Sequence, residues 1–593
     1  MKKGKTLLRI LTALLGAALL SGCMAEGAKP TPAPTETPGP EVRPVSKEEA
    51  TEGHLLDDKS LYEGLDGSSV ITMYLTVSSG NAADGSDHTW TEINTYSTYD
   101  YEEMGVDRYK VEGLLQIDET GNGLTEDSFG YGETIPNVSV QVRGQTSSRS
   151  RRKNYKIRIK EGRGLFREQR TLNLNKHSSD PFRFTNKLAY DLLNSVPQLI
   201  GGRTQFVHLY VKDTTEGGDG EFQDCGLYTM VEQVNRRFLK NHGLDENGQL
   251  YKVTFFEWLQ YPEIMIPEDD PDFDKAGFEA YMEVKGDEDH SLLRQVLEEL
   301  GNYSKPISDI VEEYFDAENL CYWMAFNILT GNSDSGARNL FLYSPLNSRR
   351  FYAICWDMDV SFMYSYHQWM DYSEGGSWEQ GMSQYLGLLL VNRMMKEAEY
   401  RQMLTAAVED IYEHYVNAKT VRRLTTRYAR VAKPFLYGGA DSNRALLEED
   451  VYDMLVAEIC GEPEVQYRAF QESMKRPWPF FVDLPRVNEE NDRMEFSWGV
   501  SYDVHGEPVT YDYILARDYD FTDVIGHGEK LTVPYFYWDI LPAGEYYLKV
   551  TATNRSGHTT DCFDYFFDEE KKYGCYGFII EADGTINYNW QEG

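Results

Sequence analysis

Basic residues are scarce in this sequence, and their scarcity excludes a class of partner. Lys and Arg number 58 against 96 Asp and Glu in 593 residues, which gives a formal net charge of −38 at pH 7. A chain this acidic repels the phosphates of nucleic acids and the anionic headgroups of lipids. We therefore expect no nucleic-acid partner and no electrostatic attraction to a membrane surface.

Cysteine is also scarce, and its spacing excludes a common metal site. None of the seven cysteines forms a Cys-x2-Cys pair, so a zinc site is not predicted. Cys321 and Cys355 lie in apolar stretches, which is typical of buried thiols. Cys562 and Cys575 could form a disulfide in an oxidising exterior, or remain free. No redox function follows from this pattern.

The N-terminus predicts the compartment. Lys2, Lys3 and Lys5 precede an apolar run from Leu7 to Leu20 that is short for a membrane span and typical of a signal peptide over residues 1–22. The run ends in Leu-Ser-Gly-Cys23, which resembles a bacterial lipobox and implies cleavage before Cys23 and a lipid on its thiol. The alternative is an ordinary secretory signal with an incidental cysteine.

A tether should follow the signal peptide. Residues 23–60 form a linker that is rich in Pro and Thr, a composition that cannot bury a core and favours an extended chain. Lipid on Cys23 would anchor the protein without spanning the bilayer. We therefore expect an extracytoplasmic protein, lipid-anchored to the cell membrane of a bacterium.

Two acidic segments carry the strongest chemical signal. Gly331-Asn-Ser-Asp-Ser-Gly-Ala-Arg-Asn339 holds Asp334 and Asn339 five positions apart, and Trp356-Asp-Met-Asp359 follows. Phosphoryl transfer needs one carboxylate to accept the proton of a hydroxyl, and an amide oxygen and a second carboxylate to hold Mg²⁺. Protein kinases use an Asp-x4-Asn loop followed by a metal-binding Asp after a strand. The usual His-Arg before the first Asp and the Asp-Phe-Gly are absent here.

The neighbouring pattern brings these residues together. Leu320 to Leu329 predicts a buried helix that stops at Gly331 and presents Asp334 on a loop. Residues 340–343 and 351–356 predict two short strands, so Asn339 and Asp357 meet at one end of the hairpin. Asp334 is predicted as the base, with a metal ligand or a helix-end carboxylate as alternatives. Asn339 and Asp357 are predicted metal ligands, and so is Asp359, for which a turn or helix cap is the alternative.

A basic loop between two alternating strands is a candidate phosphate cradle. Residues 137–143 and 154–160 alternate apolar and polar residues, as half-buried strands do. The loop from Arg143 to Lys153 is rich in small, hydroxyl and cationic side chains. Gly144 permits close approach of backbone N–H groups, and Arg143, Lys153 or Lys156 would supply countercharge. The alternative is a solvated basic turn.

Several blocks in a fixed order resemble the spore-coat kinase-like family CotH. They include Val142-Arg-Gly-Gln-Thr-Ser-Ser148, Leu172-Asn-Leu-Asn175, Asn186-Lys-Leu-Ala-Tyr190, Gly226-Leu-Tyr-Thr-Met-Val-Glu-Gln233, Asn327–Asp334 and Phe351–Asp359. The resemblance covers roughly residues 70–480 and implies a degenerate kinase fold that binds ATP and Mg²⁺ or Mn²⁺. It favours Lys153 as the phosphate-contacting lysine, and Glu232 as a hinge carboxylate beside adenine. A surface acid at a strand end is the alternative for Glu232.

The predicted fold class is α+β. Residues 61–480 are expected to form an atypical protein-kinase-like domain with a β-rich N-lobe and a helical C-lobe, with helices at 385–397, 400–414 and 445–458. Pro477 and Pro479 mark a break. Residues 481–593 alternate as strands, and the run around Gly544–Asn554 resembles the end of a fibronectin type III-like β-sandwich.

Two function classes remain open from the sequence. One is a membrane-anchored atypical protein kinase that transfers the γ-phosphate of ATP to Ser or Thr of a surface or coat protein. The other is a non-catalytic envelope scaffold or adhesin of the same family. Competent residues at positions 334, 339 and 357 favour the kinase, whereas the scarcity of ATP outside the membrane favours the scaffold.

Overall fold

Seven strands close into a barrel in the first part of the chain. The structure is a computed structural model that describes residues 55–371, 376–488, 492–568 and 570–589. The barrel strands are β1 Val70–Ser78, β2 Val111–Asp118, β3 Val138–Arg143, β4 Asn154–Ile159, β5 Thr171–Asn175, β6 Thr204–Asp213 and β7 Phe222–Glu232. They neighbour one another in the order β1-β2-β3-β4-β5-β7-β6, and β6 returns to β1 in a parallel pairing.

The alternation of apolar residues explains the barrel. Ile71, Met73, Leu75 and Val77 of β1 all point inward and are buried, since successive side chains of a strand face opposite sides. The predicted alternation of β3 and β4 is confirmed in the same way. The outward side chains of β3 and β4, including Arg143 and Lys156, are therefore left to face other parts of the protein or solvent.

Three helices interrupt the barrel. Helices α1 Trp90–Thr95 and α2 Thr98–Met104 lie between β1 and β2, and α3 Thr185–Leu193 lies between β5 and β6. The sequence of residues 186–193 predicts an amphipathic helix with Leu188, Leu192 and Leu193 on its buried side. All three are buried, together with most of the helix.

A small sheet and most of the helices follow the barrel. Strands β8 Gln249–Val253, β9 Met282–Val284, β10 Leu340–Ser344 and β11 Tyr352–Cys355 pair in the order β11-β10-β8-β9. The helices are α4 Arg236–Asn241, α5 Pro262–Met265, α6 Lys275–Tyr281, α7 Ser291–Gly301, α8 Ile307–Tyr314, α9 Ala317–Thr330, α10 Tyr364–Trp369, α11 Leu389–Lys396, α12 Ala398–His414, α13 Ala418–Gly438, α14 Glu449–Glu458 and α15 Glu462–Ser473. Their apolar core is a separate cluster from that inside the barrel.

The predicted helix over 385–397 is wrong in its first part. Gly381–Tyr385 forms a 3₁₀ helix, and α11 begins only at Leu389. Helix α13 lies within residues 381–475, which the sequence predicts to be helical, but outside the three predicted ranges, and it contains Pro434. The predicted helix over 445–458 begins later, at Glu449, after a short 3₁₀ helix at Ser442–Arg444.

The C-terminal part consists of β-strands. One sheet joins β12 Arg486–Asn488, β13 Arg493–Ser497 and β16 Tyr535–Trp538, and the larger sheet holds β14 Val509–Ala516, β15 Val524–Leu531, β17 Gly544–Asn554, β18 Thr559–Asp561, β21 Cys575–Ile580 and β22 Ile586–Tyr588. Strands β19 Tyr565–Asp568 and β20 Glu570–Tyr573 pair separately. Phe536 stacks on Tyr513 with ring centroids 3.7 Å apart, so the two sheets share one core. A fibronectin type III-like sandwich remains a prediction.

The cysteines of the described residues are free and buried. Burial of Cys321 and Cys355 confirms the prediction, and Cys562 and Cys575 do not form the disulfide that was one alternative. Within the described ranges, no helix has the length and apolarity to cross a membrane. The signal peptide, Cys23 and most of the linker lie outside the described residues.

Candidate functional site

Asp334 lies on a loop directly after helix α9, as predicted. The helix ends at Gly331, whose φ of 67° is in the left-handed region that glycine adopts without strain. The side-chain amide of Asn339 donates to the Asp334 carbonyl at 2.9 Å and to Asp334 Oδ2 at 2.8 Å. The Asp334 side chain is 44% exposed, and its Oδ1 lies 3.7 Å from Nε of Arg338. The predicted pair therefore forms a direct contact that is open to solvent.

Asp357 lies in the turn that follows strand β11. Its backbone N–H donates to the hydroxyl of Tyr190 on helix α3 at 3.1 Å. Asp357 has a φ of 55° and Asn339 a φ of 58°, both in the left-handed region that costs a non-glycine residue roughly 1 kcal/mol or more. Two of the predicted ligands thus have strained backbones, which the surrounding structure must maintain.

Three carboxylates share one recess. Burial raises the pKa of Asp357, the charge of Asp334 raises it further, and Arg143 acts in the opposite direction. Burial, followed by the charges of Asp357 and Asp334, raises the pKa of Asp359 to about 8. Asp359 nevertheless has an exposed side chain, so it lies in a recess that is surrounded by protein and open to water.

The oxygen atoms of this recess suit a divalent cation. Among the described residues, no three His, Cys, Asp or Glu side chains converge closely enough to hold a metal ion. The donor set nevertheless fits Mg²⁺ or Mn²⁺, which prefer carboxylate and amide oxygens. The amide nitrogen of Asn339 donates to Asp334, so the amide oxygen Oδ1 is not used in that contact and would be the atom that binds a cation. A cation would also compensate the repulsion between Asp357 and Asp359.

Arg143 brings positive charge to the recess from the barrel. It ends β3, donates through Nη1 to Oδ1 of Asn175, and interacts electrostatically with Asp357 and Asp359. Gly144 follows with a φ of 94°, and a Cβ there would lie 2.1 Å from Oγ of Ser147. A side chain at position 144 would therefore clash with Ser147. This need for glycine agrees with the prediction that the backbone approaches closely at Gly144. The alternative prediction, a solvated basic turn, fits Arg149 and Arg151, which are exposed, but not Arg143.

The two predicted lysines lie apart from the carboxylates. Lys153 is buried, and its ammonium donates to the Ser148 carbonyl at 2.5 Å, within the loop itself. The carboxylate that acts on its charge is Asp100, not Asp357. Lys156 is half-buried on β4. Burial is the largest cause that lowers its pKa, and the charges of Lys285 and Arg143 lower it further. The structure therefore brings Arg143, not these lysines, next to the acidic recess.

Glu232 is committed to a buried network. Its Oε1 accepts from the Tyr62 hydroxyl at 2.9 Å, and its Oε2 accepts from the Arg203 backbone at 3.2 Å and lies 3.1 Å from Nε2 of His242. Nδ1 of His242 lies 2.7 Å from Asp57. The surface-acid alternative is wrong, since Glu232 is only 1% exposed. Both carboxylate oxygens are engaged within the protein, and the hinge role remains a prediction.

Helix α3 supplies two residues that the sequence did not single out for the site. Tyr190 contacts the turn at Asp357, and Asn186 lies four positions earlier on the same helix face. Asn186 is buried, and neither atom of its amide has a hydrogen-bond partner among the described residues. Buried amides are ordinarily paired, and Asn186 is an exception among the described residues. The sequence could have indicated Asn186 and Tyr190 only through the family-like block Asn186–Tyr190, whose two ends they form.

Comparison with known proteins identifies relatives of this chain. The family model described as CotH kinase protein matches residues 140–462. Inner spore coat protein H of Bacillus subtilis (strain 168) is 22% identical over 335 residues, which are 53% of this chain and 83% of that protein.

Two solved structures align over about half of the chain. The proinflammatory kinase CtkA of Helicobacter pylori has a TM-score of 0.27 and 10% identity, and the alignment covers 54% of this chain and 94% of that one. The HipA, HipB and operator DNA complex of a Shewanella oneidensis MR-1 toxin–antitoxin system gives a TM-score of 0.21 and 12% identity, with 54% and 58% covered. TM-scores this low carry no argument.

Proposed function

The chain belongs to the CotH kinase protein family, and we propose that it is an extracytoplasmic, membrane-anchored protein kinase that phosphorylates Ser or Thr of a surface or coat protein. Family membership supports a kinase-like function in general. One observation carries the proposal further: Asp334 and Asn339 are in direct contact beside Asp357, Asp359 and Arg143. This set combines a base, cation ligands and a phosphate-binding cation in one recess.

The roles follow from position and exposure. The solvent-exposed carboxylate of Asp334 would accept the proton of the attacking hydroxyl. Asn339 Oδ1 and the carboxylates of Asp357 and Asp359 would hold Mg²⁺ or Mn²⁺. When bound, the cation supplies charge neutralisation for the phosphates of ATP. Arg143 would bind phosphate oxygens, and Tyr190 would hold the Asp357 backbone in place.

A second candidate function is a non-catalytic envelope scaffold or adhesin. It is favoured by the contacts that Asp334 makes within the protein. Its Oδ2 accepts a hydrogen bond from Asn339, and its Oδ1 lies 3.7 Å from Nε of Arg338. A base would have to accept the hydroxyl proton at the acceptor sites that these contacts leave open. The two functions differ in whether phosphate is transferred at all.

Labelled nucleotide separates the candidates. Purified chain is incubated with Mg²⁺ or Mn²⁺ and with ATP labelled either in the γ-phosphate or in the α-phosphate. The proposal predicts protein-bound label from γ-labelled ATP alone. Label from the α-phosphate would indicate nucleotidyl transfer, and no label from either, with nucleotide binding retained, would favour the scaffold.

A further inference from the structure

A group of cationic side chains lies beside the start of helix α3. We name it the basic cluster and define it as Arg152, Arg183 and Arg444. Arg183 is only 5% exposed, and its guanidinium donates to the His177 carbonyl and, at 3.2 Å, to the Arg444 carbonyl. The pKa of Arg444 is lowered by burial and then by the charge of Arg152, so these side chains lie close together.

Each member of the basic cluster has a donor that is not used. Nε of Arg152, Nε of Arg183 and Nη1 of Arg444 are buried and have no hydrogen-bond partner among the residues that the structure describes. Arginine remains charged in proteins, so these N–H groups stay hydrogen-bond donors and are not lost by deprotonation. A buried donor without an acceptor is unfavourable, and the three donors outnumber Oδ1 of Asp441, a nearby buried acceptor that also lacks a hydrogen bond.

The available carboxylates do not balance the basic cluster. Asp441 already forms a fully buried ion pair with Lys176, 2.9 Å long, and accepts the N–H of Leu227. Asp180 accepts the N–H groups of Phe182 and Thr185. Asp180 and Asp441 therefore face Lys176 and the three arginines of the basic cluster, and Arg151 also acts on Arg444, in a protein whose overall charge is −38. Partly buried cations in excess are unfavourable unless an anion joins them.

We infer that the basic cluster is a binding site for a phosphate group, separate from the phosphates of the nucleotide. Guanidinium forks match the geometry of phosphate oxygens and bind them through paired hydrogen bonds. Asp180 and Asp441 act on Arg183, whereas Asp357 and Asp359 act on Arg143. The two groups are neighbours, because Asp180 also acts on Asp359 and both arginines act on His177, so competition with ATP is the test of their separation. The inference does not depend on phosphotransfer, because the cations bind phosphate whether or not the chain transfers it.

The source of the phosphate group is either free phosphate or a phosphorylated side chain. The full-length protein is titrated with inorganic phosphate and, in a second series, with phosphoserine as the free amino acid, at constant ionic strength set with chloride. The thermal midpoint is the readout. Both probes are expected to raise the thermal midpoint in a saturable way. Phosphoserine should bind more tightly than phosphate if a phosphorylated side chain is the source. Phosphate should bind more tightly if free phosphate is the source.

Arg444→Gln is the test variant, since its contact with Arg183 is made by the backbone carbonyl and survives the change. Phosphate should bind about tenfold more weakly, as expected for one lost charged hydrogen bond. Arg517→Gln, which removes an exposed arginine that pairs with Asp523, should bind as wild type does. Equal affinity of Arg444→Gln and wild type would overturn the inference. Loss of the phosphate effect under saturating ATP and Mg²⁺ would overturn it too, by assigning these cations to the nucleotide.

Discussion

The hydroxyl of Tyr190 accepts a hydrogen bond from the backbone N–H of Asp357, 167 residues later in the chain. This contact joins helix α3, which follows the barrel strand β5, to the turn after β11. It holds the strained backbone of a candidate cation ligand, whose φ is 55°. The position of the acidic recess therefore depends on a helix that belongs to the barrel part of the chain.

Tyr190→Phe tests this dependence. The change leaves the half-buried N–H of Asp357 without its acceptor, which should lower the free energy of unfolding by about 1–3 kcal/mol and weaken Mg²⁺-dependent ATP binding. Chemical denaturation and ATP titration measure the two effects. Tyr546→Phe is the matched control, because its hydroxyl donates to Pro542 in the C-terminal part. An identical effect of both variants on ATP binding would contradict a specific role for Tyr190.

Asp357→Asn should abolish Mg²⁺-dependent nucleotide binding and leave the fold intact. Burial disfavours the charged form of Asp357 in the absence of a cation, so a neutral amide of the same shape should be tolerated. Circular dichroism checks the fold and titration with ATP at varied Mg²⁺ checks binding. Wild-type affinity in this variant would remove Asp357 from the cation site.

Arg143→Gln should weaken ATP binding by about tenfold or more, because a charged hydrogen bond to phosphate contributes about 1.5–3 kcal/mol. Arg158→Gln, on the neighbouring strand β4, is the control, since Arg158 is exposed and not in the recess. Calorimetric titration of both variants gives the comparison. If the two bind ATP equally well, the phosphate contact lies elsewhere.

Glu462 should make stability depend on pH. It accepts backbone N–H groups of Tyr364 and Ser365, and burial raises its pKa from 4.5 to about 7. The folded state therefore binds this proton more tightly than the unfolded state, and stability falls as the pH rises from about 4.5 to about 7. Glu462→Gln should flatten this part of the stability curve, whereas Glu449→Gln, an exposed acid, should not. An unchanged slope in Glu462→Gln would contradict the assignment.

Cys23 should carry lipid and tether the protein to the outer face of the cytoplasmic membrane. Mass spectrometry of the mature N-terminus from cells measures the modification directly, and Cys23→Ser should release the protein from the membrane fraction. An unmodified Cys23, or a mature chain that starts far from it, would overturn the anchor.

Local patterns predicted the elements around the recess. The alternation of β3 and β4, the apolar stripe of α3 and the stop at Gly331 depend on residues close in sequence, so each could be predicted from its own segment. The contact of Asp334 with Asn339 is also short in range, although the sequence predicted only the spacing and the loop position of these residues and not the contact itself.

Long-range pairings could not be predicted in this way. Closure of the barrel requires β1 to pair with β6, more than a hundred residues later. The commitment of Glu232 depends on His242 and on Asp57, which lies 185 residues from His242. Lys153 lies directly before β4, and its side chain turns back to the Ser148 carbonyl, because a buried ammonium needs an acceptor.

The central claim is that Asp334 accepts the proton of the attacking hydroxyl. The most direct measurement compares residues 45–593 of wild type and Asp334→Asn with γ-labelled ATP and Mg²⁺, recording nucleotide affinity and transfer of label side by side. The account predicts retained affinity and transfer slowed roughly a hundredfold or more, as for loss of a general base. Joint loss of affinity and transfer would make Asp334 a cation ligand, and wild-type values for both would contradict the account.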